Sequence, residues 1–339
     1  MKSWVKFPAF ALFFLFQIQN VMACELTIYT YDSIVAHGGL GPEIFPIFEK
    51  HTGCKINVLA SGDAVQALSR LELDEKRGKP QGQILLGIDQ TLWQRAKPYL
   101  ERDVSIASPR FAHESHADEA LGEGFVPYDY GVLAFMADTT KIKSDALHSI
   151  AQLKDPEWKK KFILEDPRTS TPGLQFVLFT SEVLKDGFSG YWSALKGQWL
   201  AMPEGWSSAY GLFLKGEAPL VWSYTTSQAY HEEKKDDRYK AVLFDEGQPL
   251  QIETAMLIKN SYDTPEQKKI ALQFLDFLLS GTVQAKVPTT NWMFPVALGT
   301  HLPKSFHGVP IPKRVFLNQS SNSGDSEKIL KDWNRAVLQ

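Results

Sequence analysis

Apolar runs and amphipathic stretches alternate along the first third of the chain. Strand patterns at 26–32, 55–60 and 83–88 are separated by helical patterns at 42–51, opened by Pro42, at 63–75 and at 90–99. That rhythm predicts a parallel sheet covered by helices. Ligands in such sheets bind at the carboxyl ends of the strands, which puts Tyr31-Asp32-Ser33, Ser61-Gly62-Asp63 and Asp89 on one rim.

A polar, helix-poor stretch at 113–124 is followed by a long mixed run, 125–137, which reads as a strand crossing into a second lobe. Strands at 162–165, 199–202 and 219–224 then alternate with helices from 172, over 207–215 and from Thr226. A second crossing strand at 251–259 returns the chain, and Thr264, Pro265 and Gln267 mark the start of a further helix. Two crossings imply a hinge. The expected division is residues 24–126 with 254–300 for lobe one and 127–253 for lobe two, with 301–339 left unassigned.

The remaining composition narrows the compartment. Lys2 and Lys6, the apolar stretch from Phe7 to Ile18 and Val21-Met22-Ala23 form a signal-peptide pattern over residues 1–23, so the chain is expected to be exported. Without that segment the formal charge moves from −3 to −5, with no basic block, which excludes nucleic acid as the expected partner. Only Cys24 and Cys54 are present, each just before a strand pattern at what would be one sheet edge. A disulfide between them is the first reading. The second is a lipoprotein in which Cys24 is acylated, since Val-Met-Ala-Cys loosely resembles a lipobox.

Four segments carry candidate chemistry. Asp166-Pro-Arg-Thr-Ser-Thr-Pro-Gly173 leads from an apolar run into a helix with Thr171 as expected cap and Pro172 at its first position. Free backbone donors, the hydroxyls of Thr169, Ser170 and Thr171 and the Arg168 guanidinium could converge there on a phosphate or carboxylate. Its competitor is an ordinary capped helix with Arg168 paired to Asp166. Gly205-Trp206-Ser207-Ser208-Ala209-Tyr210-Gly211 and Ser223-Tyr224-Thr225-Thr226-Ser227 lie at element junctions, and Asn291-Trp292-Met293-Phe294-Pro295 adds an aromatic from lobe one. Rings at such turns stack on planar ligands or hold cations; half-buried packing is the alternative for each of them.

Tyr29–Asp32, Pro127–Gly131, Asp166–Leu174, Gly205–Lys215, Ser223–Ser227 and Asn291–Pro295 together resemble, in order and across nearly all of the chain after residue 23, the thiamine-binding periplasmic proteins of ABC importers. The resemblance implies a type II periplasmic-binding-protein (Venus flytrap) fold, α/β in each lobe, with mixed, mostly parallel sheets joined by crossing strands. It implies a periplasmic monomer that is not an enzyme and carries no cofactor or metal. Its cargo would be thiamine, thiamine monophosphate or thiamine diphosphate, delivered to an inner-membrane ABC permease. On matching positions, ligand contacts fall to Asp63, Ala64, Ser170, Thr171, Trp206, Tyr224, Thr225, Thr226, Ser227, Gln228 and Trp292, and Tyr31 and Asp32 join them from the strand-end rim. Trp206, Tyr224 and Trp292 are expected to stack, Ser170 and Thr171 to hold the hydroxyl or phosphate end, and Asp63 to meet the aminopyrimidine or balance charge. The chain departs from the family at His37-Gly38, where a tryptophan is familiar, and at Ala64, where a glycine is.

Rival chemistries find less support. Ser207, Asp166 and His231 make a triad on paper, but no Gly-x-Ser-x-Gly elbow is present. Tyr128, Tyr130 and Tyr224 suggest iron, but the adjacent tyrosine pair familiar in iron-binding relatives of this architecture does not occur. The alternatives kept are a binding protein of the same fold for a ferric complex or a polyamine, and an exported sensor.

Overall fold

A computed structural model describes residues 24–338 apart from positions 103, 108, 144 and 319–322; the expected signal peptide, residues 1–23, lies outside the described residues. Strands β1 (Glu25–Thr30), β2 (Lys55–Ala60) and β3 (Ile84–Asp89) run parallel in the order β2-β1-β3. Helices Leu40–Thr52 and Ala64–Lys76 connect them. Asp63 caps the second helix: its side chain accepts the Ala64 N–H at 2.7 Å, and the Gln66 side chain accepts the Asp63 N–H at 2.9 Å. This reciprocal cap fixes Asp63 at the end of β2. The helix expected at 90–99 is instead one turn, Trp93–Ala96, followed by a 3-10 turn, Lys97–Tyr99. Pro98 lacks the N–H that would extend it.

Downstream come β4 (Val126–Asp138), β5 (Phe162–Ile163), β6 (Leu220–Tyr224), β7 (Tyr239–Val242), β8 (Gln248–Leu257) and two short strands, β9 (Phe294–Pro295) and β10 (Val315–Leu317). The first half of β4, Val126–Val132, pairs antiparallel with β8, and its second half pairs with β6 and β7. The far end of β8 pairs with β3, so that Asp89 and Glu253 stand opposite one another. The sheet is therefore mixed: β1–β2, β1–β3, β5–β6 and β8–β10 are parallel, and the remaining pairs, all involving β4 or β8, are antiparallel. The strand expected at 199–202 shrinks to a single bridge between Ile163 and Ala201.

Packing follows the pattern of the sequence. Beneath β4, Phe135 meets Phe162, Phe176 and Trp222 edge to face with centroids 6.0, 6.1 and 5.2 Å away, contacts worth about 0.5–1.5 kcal/mol each beyond area burial. The C-terminal helix Ser323–Leu338 lies on helices Phe188–Leu195 and Thr171–Leu184, with Trp333 edge-on to Trp192 at 5.9 Å. Cys24 and Cys54 form a disulfide beside the β1–β2 pair, with Cα atoms 4.5 Å apart.

Candidate ligand-binding cleft

The ends of β1, β2 and β6, the middle of β8 and the first turns of three helices enclose a cleft of ≈ 360 Å³, within the size range, about 300–1,000 Å³, of small-molecule sites. Tyr31 and Asp63 stand just beyond β1 and β2, Thr171, Trp206 and Ser227 open three helices, Tyr224 ends β6, and Trp292 comes from the segment before β9. Tyr31 fits because Gly87, at φ +96°, bulges β3 at the register shift: a Cβ there would stand 2.1 Å from the Tyr31 ring. Trp292 adopts a left-handed backbone, φ 54°, which is uncommon for a bulky residue and is held here at the cleft edge.

Other expected contact residues stand away from the cleft wall. Ala64, Ser170, Thr225 and Thr226 are buried behind it, and the exposed Asp32 gives the Gly62 carbonyl its backbone N–H at 3.2 Å. Gln228 spends its amide on Gly308 O at 2.8 Å and Ala241 N–H at 3.0 Å.

The 166–173 segment resolves between its two readings. Arg168 turns to Asp166, bonding both carboxylate oxygens, and lies over the Trp333 ring at 5.9 Å. Thr169 donates its hydroxyl to Glu204 O at 2.7 Å. Ser170, not Thr171, is the cap residue, and helix Thr171–Leu184 begins with Thr171 and Pro172 in the cleft wall. What faces these donors is Asp63. Its carboxylate accepts the Trp206 N–H at 3.2 Å, and the nearby Ser170 and Thr171 at the helix start act to lower its pKa. Burial nevertheless raises its pKa, the largest of these effects.

The principal acid of the cleft was missed. Glu253, on β8, accepts Tyr31 OH at 2.6 Å, Tyr128 OH at 2.7 Å and Asn291 Nδ2 at 3.2 Å through Oε2, and Gln251 Nε2 at 3.3 Å through Oε1. Asn291 also donates to Asp129 at 2.6 Å. Burial pushes both acids up, Glu253 to about 7, and the neighbouring Glu253 charge raises Asp129 further, while the donors are gathered at Glu253. The signal was present: Glu253 is the one acid in the run 248–259 that otherwise reads as a buried strand. Tyr210 was legible too, four residues after Trp206 on the same helical face. Its ring stacks on Trp206 at 4.9 Å, and Tyr230 meets Trp292 edge-on at 5.1 Å. No Lys or Arg is among the residues lining the cleft.

The pattern of the bacterial extracellular solute-binding proteins matches residues 43–307. The thiamine-binding periplasmic protein of Salmonella typhimurium is 38% identical over 322 residues, 92% of this chain and 93% of that one, and its counterpart in Brucella abortus is 40% identical over 298 residues, 86% of each. This chain belongs to that family. A solved structure of a periplasmic thiamin binding protein superposes with a TM-score of 0.79 at 34% identity, covering 93% of this chain and 96% of the other. The family's two-lobed type II fold accounts for the two strands that cross between the lobes and for a cleft built by both of them.

Proposed function

We propose that the cleft captures thiamine and its mono- and diphosphate in the periplasm and that the protein, a monomer without a cofactor, hands them to an inner-membrane ABC permease. The observation that carries this reading is the pairing of Glu253, held by four donors, with the rings of Trp206, Tyr210, Tyr224 and Trp292 in a cleft without a lining cation. Thiamine supplies what such a site lacks, a permanent thiazolium charge on a planar ring beside a planar aminopyrimidine. Aromatic faces hold such cations at about 0.5–2 kcal/mol each. The names of the relatives point the same way.

In this reading Glu253 is the counter-charge, and Trp206, Tyr224, Trp292 and Tyr31 form the stacking faces. Asp63 contacts the aminopyrimidine or balances charge, while Thr171 and Ser227 offer hydroxyls to the arm. Ala64, Ser170, Thr225, Thr226 and Gln228 support the wall from behind. Calorimetric titration of the refolded, ligand-stripped protein with thiamine, its two phosphates and spermidine tests the proposal. Tight binding of a thiamine form and none of spermidine is expected; the converse would overturn it.

A further inference from the structure

The second-lobe wall contains a buried histidine that the proposed binding function does not use. His231, on helix Ser227–Glu233, is 3% exposed, and its Nε2 lies 2.8 Å from the Tyr210 hydroxyl. Its ring packs on Tyr239 at 4.1 Å. Burial pulls its pKa down to about 4, against a smaller opposite pull from Asp236, so the imidazole is neutral near pH 7. Burial also raises the Tyr210 phenol, which keeps its proton. The neutral imidazole and the phenol are hydrogen-bonded to one another, with the donor set by the imidazole tautomer.

A chain of hydrogen bonds runs from the same helix to the cleft. Trp206 Nε1 donates to Ser223 Oγ at 2.9 Å, and Ser223 Oγ lies 2.8 Å from Ser227 Oγ. Trp206 is thus fixed twice, by its N–H through the two serines and by its face on Tyr210, and both ties lead back to helix Ser227–Glu233. The same helix presents Tyr230 to Trp292.

We infer that His231 is a positioning residue for ligand capture: as the buried hydrogen-bond partner of Tyr210, it sets the plane of that ring and hence the plane of the Trp206 face stacked on it. A ring held in one orientation before the ligand arrives costs less to order on binding than one that must be immobilised. The inference rests on the proposed cargo only for its binding readout.

The test compares His231→Leu, which removes the hydrogen bond, with His231→Gln, whose amide can accept or donate. The apo proteins are measured by near-ultraviolet circular dichroism, which reads the coupling of Trp206 to Tyr210, and thiamine binding is measured by calorimetry. His231→Leu should lose the dichroic band assigned by Trp206→Ala and about three- to tenfold in affinity, while His231→Gln recovers most of both. Should His231→Leu fail to fold, Tyr210→Phe removes only the hydroxyl and should give the same two losses. An unchanged band and affinity in His231→Leu or Tyr210→Phe, or equal losses in the Leu and Gln variants, would overturn the inference. If the wild-type protein binds no thiamine, the proposed cargo fails, and the dichroic band alone decides the role of His231.

Discussion

Two buried glutamates lie at the seam between the lobes, and the protein treats them in opposite ways. Glu253 is surrounded by Tyr31, Tyr128, Asn291 and Gln251, all donating. Glu165, just beyond β5, is 1% exposed, and neither of its oxygens finds a hydrogen-bond partner among the described residues. Burial raises both. At Glu253 three donors pull the value back, whereas at Glu165 the nearby Asp63 charge pushes it higher and only its own N–H opposes. Burial alone does not make a carboxyl useful to a cation; donors that stabilise its charged form do.

The sharpest way to break that contrast is to remove the carboxylate that the donors hold. Glu253→Leu should weaken thiamine binding roughly ten- to a hundredfold, since hydrogen bonds to charged groups are worth about 1.5–3 kcal/mol. Calorimetry with thiamine reads this directly. Affinity within threefold of wild type would mean that the counter-charge lies elsewhere, with Asp63 the next candidate.

Between the two glutamates stands Asp89, which has some partners: Thr91 N–H at 3.0 Å and, across the lobes, Gln175 Nε2 at 2.9 Å. Burial pushes it up to about 6, and its partners pull against the rise. Because the folded value lies above the unfolded one, the folded state holds this proton more tightly. The stabilising contribution is complete below about pH 4 and is lost as the pH rises towards 6. Urea unfolding at pH 4, 5, 6 and 7 should therefore show wild type losing on the order of 2–3 kcal/mol more than Asp89→Asn over that range. Parallel curves would assign the pH dependence to the other buried acids.

These differences also show how far the sequence could be read. The alternation of strand and helix, the two crossings and the rim residues Tyr31 and Asp63 were legible because period and strand ends are local properties. Glu253 was readable in principle, as an acid inside an apolar run, but three of its four donors come from the residue after β1, from β4 and from the 291 segment, and only the tertiary fold assembles them. The segment 166–173 was misleading for a related reason. Its hydroxyls and Arg168 share a stretch of chain, yet Arg168 turns outward to Asp166, and Asp63, from 103 residues earlier, faces the donors at the helix start. The position of Glu165 carried no local signal that its carboxyl would be left without a partner.

Glu165→Gln should act on the fold more than on the ligand. Replacing a buried carboxyl that no donor serves with a neutral amide of the same shape removes the cost of protonating it. Unfolding free energy at pH 8 should rise by about 1–2 kcal/mol, with thiamine affinity within threefold of wild type. A stability loss would mean that Glu165 has a partner in solution, such as a buried water, and the contrast with Glu253 would narrow.

The smallest effect is expected at Arg168, the one cation of the 166–173 segment. Its pair with Asp166 is half-exposed at the guanidinium, and such pairs contribute less than about 1 kcal/mol. Arg168→Ala should therefore lower stability only slightly. Because the guanidinium lies over Trp333 and away from the cleft, the ratio of affinities for thiamine monophosphate and thiamine should also stay within twofold. A selective loss for the phosphate ester would show that Arg168 swings inward when an anionic arm enters. The helix start would then be an anion site that the phosphate itself completes, and Glu165 beneath it would gain a counter-charge in the liganded state that it lacks without one.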